Sequence, residues 1–155
     1  MKGTEIQEDQ RVVRYVKPRL VHSTGHADPE AFADPEAFVL RTHDDGTPED
    51  GLSISWLEAF PGGTQSQLEE VKRHLRLRVT RNGRFAEFVV GELTTLLAAE
   101  NIDGSVVHDP LEPEDDYPED PSHALVLGLP HPSTERATEV GAQLARAALL
   151  HLPPG

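Results

Sequence analysis

"VVHDPLEPEDDYPEDPSHALV", Val106 to Val126, sets two short apolar runs, each carrying a histidine, on either side of a segment that is almost all acid and proline. The flanking runs, "GSVVHD" and "SHALVLGL", have the composition of half-buried strands. Between them Pro110, Pro113, Pro118 and Pro121 lack backbone N–H donors, which excludes a regular helix or an inner strand. The segment 109–121 therefore reads as an exposed acidic loop within the domain. Antiparallel pairing of its flanks would bring His108 and His123 to its base, with Asp109 and Asp120 beside them.

Three readings of that loop follow. Neutral imidazoles and carboxylates are ligands for zinc, manganese or iron, so His108, Asp109, Asp120 and His123 are a candidate transition-metal set, and a metal-dependent hydrolase is the alternative function. The spacing matches no metal signature: there is no His-Glu-x-x-His and no cysteine partner. The second reading is docking. A proline-stiffened loop loses little entropy on binding, and Glu112, Glu114, Asp115, Asp116, Tyr117 and Glu119 would present a dense negative field to a basic partner. The third is a solvated loop whose histidines bond to nearby backbone.

Outward from this segment, the 155 residues suffice for one domain around one core. Hydrophobic residues make up 37% and aromatics 5%, so the core is modest and mostly aliphatic. A net charge of −13 disfavours nucleic acid and anionic membranes as partners and favours a basic protein surface, or a second copy of the chain. The absence of cysteine removes disulfides and thiolate chemistry. No run approaches the ~20 apolar residues of a membrane helix, and the polar start "MKGTEIQEDQ" has no apolar signal core, so a cytoplasmic location is expected.

Residues 1–10 read as a flexible segment before a domain spanning 11–152. "RVVRYV" is a strand ended by Pro18, "AFVLRT" reads as another, and "LSISWLEAF" as a third, with Leu52, Ile54 and Trp56 on one face. The hexapeptide Ala-Asp-Pro-Glu-Ala-Phe occurs twice, at 27–32 and 33–38. It reads as two short turns that place Phe32 and Phe38 on the core. "QSQLEEVKRHL" is an amphipathic helix with Thr64 as N-cap and Gln67 completing a capping box. In "LRLRVTRNGRFAEFVV", Asn82-Gly83 suits a type I′ turn between strands at 76–80 and 84–90. "GELTTLLAAEN" is a short helix. "STERATEVGAQLARAALLHL" is a C-terminal one, capped by Ser133 and striped with Val140, Leu144, Ala147 and Ala148. Gly141 within it allows close packing. The sum is an α+β domain with a mixed or antiparallel sheet of five to six strands and three to four helices.

Other chemistry is thinly supplied. "RLVHSTG", Arg19 to Gly25, is similar over three or four residues to the strand of some ADP-ribosyltransferases that ends in His-x-Thr. That resemblance implies a grip on a nicotinamide ribose and needs a downstream acid, for which no residue can be placed. A surface turn bonded by Ser23 and Thr24 explains the same residues. Ser53, Ser55 and Ser122 could act as nucleophiles, but none lies in a Gly-x-Ser-x-Gly elbow. Lys72, Arg73, Arg76, Arg78, Arg81 and Arg84 make a basic run without interleaved aromatics, which points to pairing with acidic loops of this chain or of a second copy. The leading expectation is thus a small acidic interaction module: a subunit, regulator or inhibitor-like partner needing no cofactor.

Overall fold

The computed structural model describes residues 2–25 and 28–155. It is an α+β domain whose main sheet has six strands: β1 (Arg11–Val16), β4 (Leu52–Trp56), β5 (Arg84–Val89), β6 (Ser105–His108), β7 (His123–Leu127) and β8 (Leu149–His151). Their spatial order is β6-β7-β4-β1-β5-β8, and every pairing is antiparallel. A separate two-stranded ribbon joins β2 (Val21–His22) to β3 (Phe32–Ala33). Three α-helices follow in chain order: α1 (Thr64–His74), α2 (Val90–Ala99) and α3 (Glu135–Ala147).

The alternation within each strand sorts its side chains between two cores. On one face Val12 and Val16 of β1, Leu52 and Ile54 of β4, Ala86 and Phe88 of β5, and Ala124 and Val126 of β7 meet α2, α3 and Phe38. On the other, Val13, Tyr15 and Phe85 meet Leu57, Phe60 and the Leu68–Val71 face of α1. Burying each such leucine or phenylalanine contributes about 2 kcal/mol, set against the entropy of ordering the chain. Gly141 lets α3 press on the 3₁₀ turn Pro35–Phe38, since a β-carbon there would stand 2.5 Å from the Pro35 carbonyl oxygen.

Several local expectations give way to tertiary context. The run 76–80 is not a strand: β5 takes β1 and β8 as neighbours, with Val12 opposite Phe88 and Ala86 opposite Leu150. Neither Asn82 nor Gly83 has the positive φ that a type I′ turn needs; a tight turn from Thr80 to Gly83 forms instead. "AFVLRT" is not a strand either. Asp34 accepts the Glu36 N–H and starts the 3₁₀ turn that carries Phe38 into the core. The two hexapeptide copies diverge, for Phe38 is buried while Phe32 is 59% exposed and stacks on His22. Position 27 of the first copy lies outside the described residues. Gly63, not Thr64, caps α1, because Thr64 and Gln67 accept instead from Arg11, which also grips Glu58 through two nitrogens. Thr134, not Ser133, caps α3 by accepting the Ala137 N–H, and Ala147 is exposed. The chain leaves α3 into β8, an edge strand of three residues, none of them β-branched, that gives no strand signal in the sequence.

The residues before β1 have partners. Gly3 donates to the His108 carbonyl, His108 to the Thr4 carbonyl and Ile6 to the Val106 carbonyl, so residues 3–6 line the outer edge of β6. Ile6 enters the core, and the carbonyls of Gln10 and Glu8 accept the first two N–H groups of α2.

Candidate functional site

The acidic segment folds as a narrow arm that prolongs the β6–β7 pair. Leu111 and Asp120 exchange both backbone hydrogen bonds, as do Glu114 and Tyr117 at the tip. One extra residue on the β7 side, between His108–Ala124 and Leu111–Asp120, makes a bulge at the base. The prolines occupy the rungs that need no N–H: Pro110 faces Pro121 and Pro113 faces Pro118 across the arm. Asp115 at the turn has φ +34°, a conformation that aspartate tolerates better than most residues. The four prolines exclude a regular strand, as their chemistry requires, but they do not exclude paired backbone.

One arginine of the basic run braces this arm. Arg76 Nη2 donates to the carbonyls of Glu112 and Pro118, one on each side of the arm, and Nη1 lies 3.4 Å from Glu114. The guanidinium carbon stands 5.7 Å from the Tyr117 ring centroid. Pairing of the basic run with acidic residues of the same chain is therefore realised at this residue. Arg84 takes another role: it is buried and donates to the carbonyls of Asn82, Gly83 and Gly25. Glu112, Glu114, Asp115, Asp116 and Glu119 are exposed, and Tyr117 is 46% exposed among them.

At the base, the four candidate ligands each have other work. His108 Nε2 donates to the Pro121 carbonyl at 2.6 Å, and its ring meets Trp56 edge-on. Asp120 is buried and accepts from both the backbone N–H and the hydroxyl of Ser122. His123 Nδ1 lies 2.8 Å from the Asp109 carbonyl and 3.2 Å from the Asp109 carboxylate. Antiparallel pairing does bring the two histidines to the same end of the arm. Yet among the described residues no three His, Cys, Asp or Glu side chains are disposed to hold a metal ion.

His123 also faces Ser53, with Nε2 3.2 Å from the hydroxyl oxygen. A carbonyl can only accept, so the Asp109 carbonyl fixes the proton on Nδ1 and leaves Nε2 as an acceptor for the Ser53 hydroxyl. The connectivity is that of nucleophile, base and orienting carboxylate, but Ser53 sits inside a regular strand rather than on an exposed elbow.

Ser53 opens onto a cleft of about 1010 Å³. It forms because β1 and β4 pair only at Val12–Trp56 and Val13–Ser55 and then part. Arg14 bridges the gap, donating from Nε to the Ala37 carbonyl and from Nη1 to the Ser53 carbonyl. Lys17, Arg19 and Arg41 line the same cleft. Burial, with Arg41 adding, lowers Arg14 to about 10, and Lys17 is lowered chiefly by Arg41, then by burial, Arg19 and Arg14. This cluster leaves little trace in the sequence. Its one visible signal was Arg14, set between Val12 and Val16 on the apolar face of β1.

His22 of the Arg19–Gly25 segment pairs with Asp34 at 2.9 Å on an exposed edge. No protein-family model, curated protein or solved structure matches this chain.

Proposed function

We propose that the protein is a cytoplasmic interaction module that docks a basic protein partner through the arm 109–121. The observation that carries the reading is the arm's construction: a proline-paired hairpin, braced by Arg76, that holds five exposed carboxylates around a half-exposed tyrosine. Preorganisation lowers the entropy lost on binding. Tyrosine ringed by charge is a common anchor at protein interfaces, and carboxylates of one sign steer a basic partner. No helix among the described residues is long and apolar enough to cross a membrane, which fits a partner met in water.

The test is affinity capture with the wild-type protein, then titration of the captured partner against two variants. Glu114→Gln, Asp115→Asn, Asp116→Asn and Glu119→Gln together should weaken binding at least about ten-fold and flatten its salt dependence. Tyr117→Ala should weaken it without changing the salt slope. Unchanged affinity in both variants, with the fold intact, would remove the arm from the interface and sink the reading.

A further inference from the structure

We propose that the cleft between β1 and β4 is a binding site for a small organic anion, its phosphate or carboxylate group held by Arg14, Lys17 and Arg41. Arg14 is set among protein atoms and gives two of its nitrogens to neutral carbonyls, of Ala37 and Ser53. Its Nη2 makes no hydrogen bond among the described residues, and it is not a buried, sealed-off atom. Among the described residues this desolvated cation, with carbonyl partners and an open nitrogen, has no carboxylate within 4.0 Å.

Its neighbours deepen the imbalance. Among the described residues neither Lys17 nor Arg41 has a carboxylate within 4.0 Å, while Arg19 pairs with Glu36 at 3.4 Å. Of the carboxylates on the wall, Asp34 is engaged by His22 and by the Glu36 N–H. Glu49 is near enough to favour the charged form of Arg14, but it makes no ion pair within 4.0 Å with Arg14, Lys17 or Arg41, and its carboxylate accepts the Arg41 backbone N–H. In a chain of net charge −13, cations gathered in one concavity, repelling each other, are a placement that an anion would relieve. Leu20, Leu75 and Leu77 line the same space and offer an apolar wall to the rest of the ligand. The cleft, about 1010 Å³, is large enough for a nucleotide-sized molecule.

The test uses inorganic pyrophosphate and tricarballylate as probes of the phosphate and carboxylate sources, titrated calorimetrically at low salt. At least one should bind, more weakly as salt rises. Lys17→Gln with Arg41→Gln, both at accessible positions, should fold normally and bind at least about ten-fold more weakly. Arg146→Gln, outside the cleft, should bind as wild type. Amide resonances of Arg14 and Ser53 should shift on titration. Failure of both probes at about 1 mM would overturn the proposal, as would binding that survives the double change. A synthetic peptide of residues 109–121 that binds where both small anions fail would also overturn it, in favour of copy-to-copy docking. None of these outcomes depends on the arm's own partner.

Discussion

The phenol of Tyr15 lies so close over Gly83 that a β-carbon on Gly83 would stand 2.3 Å from Tyr15 Oη and 2.6 Å from the ring. That oxygen also accepts the Thr80 N–H at 2.9 Å, so it is not free to move. Gly83→Ala should therefore destabilise the fold by about 1–3 kcal/mol, the range of overpacking. In a Tyr15→Leu background the same change should cost at least about 1 kcal/mol less. Denaturant unfolding of the four proteins checks this. Equal costs in both backgrounds would refute the steric account.

Gly141 inverts a common rule. Alanine in place of glycine inside a helix ordinarily stabilises by about 1 kcal/mol. Here the new methyl group would meet the Pro35 carbonyl at 2.5 Å. Gly141→Ala is expected to lower the melting temperature, and a rise would show that α3 can shift away from the 35–38 turn at little cost.

Arg76 governs the arm rather than the fold. Its Nε is buried without a partner, an expense that offsets part of what its other bonds contribute. Arg76→Gln should change global stability by less than about 1 kcal/mol. Hydrogen exchange at the amides of Leu111, Glu114, Tyr117 and Asp120 should nonetheless quicken at least about ten-fold, because local opening no longer breaks the brace. Unaltered exchange would mean that the paired prolines alone hold the arm.

The Asp34 carboxyl is held below its ordinary value of 3.8, first by the Glu36 N–H and then by His22. A depressed carboxylate stabilises the folded state above its unfolded pKa, and that contribution fades as pH falls through the folded one. Asp34→Ala should thus cost about 1 kcal/mol near neutrality, and the gap to wild type should close progressively below pH 3.8. A gap that stays constant into acid would assign the loss to the backbone turn and not to the charge.

Ser53 offers a direct check on the absence of catalysis in the proposed role. His123 meets the Asp109 carbonyl at 2.8 Å and its carboxylate only at 3.2 Å, and the serine is strand-bound. A fluorophosphonate probe should leave Ser53 unlabelled. Stoichiometric labelling abolished by His123→Ala would favour a hydrolase over an interaction module.

Legibility in the sequence followed the range of the forces involved. Val12 to Val16, Leu52 to Trp56 and the apolar stripe of α3 announce themselves, because alternation and helical period are local consequences of which face is buried. The pairing of β6 with β7 was equally legible, since proximity in sequence makes it the nearest partner. Arg76–Thr80 misled because Asn82-Gly83 favours a hairpin only when nothing else competes. The ring of Tyr15 and the free edge of β1, both distant in sequence, competed and won. The cleft was illegible for the same reason: Arg14, Arg41 and Ser53 share a space only because β1 and β4 part after two rungs.

The position of β1 in the middle of the sheet has a temporal consequence. Val12 sits between Trp56 and Phe88, so the central strand cannot acquire both neighbours until residues through Val89 have left the ribosome, and β5 stays uncovered on its far side until His151 follows. Until then the backbone edges of β1 and β5 are open to other chains. With so many rungs joining distant residues, refolding in vitro should fall in the slow range, about milliseconds to seconds. A nascent chain stalled after α2 should be far more prone to aggregate than one stalled after β8.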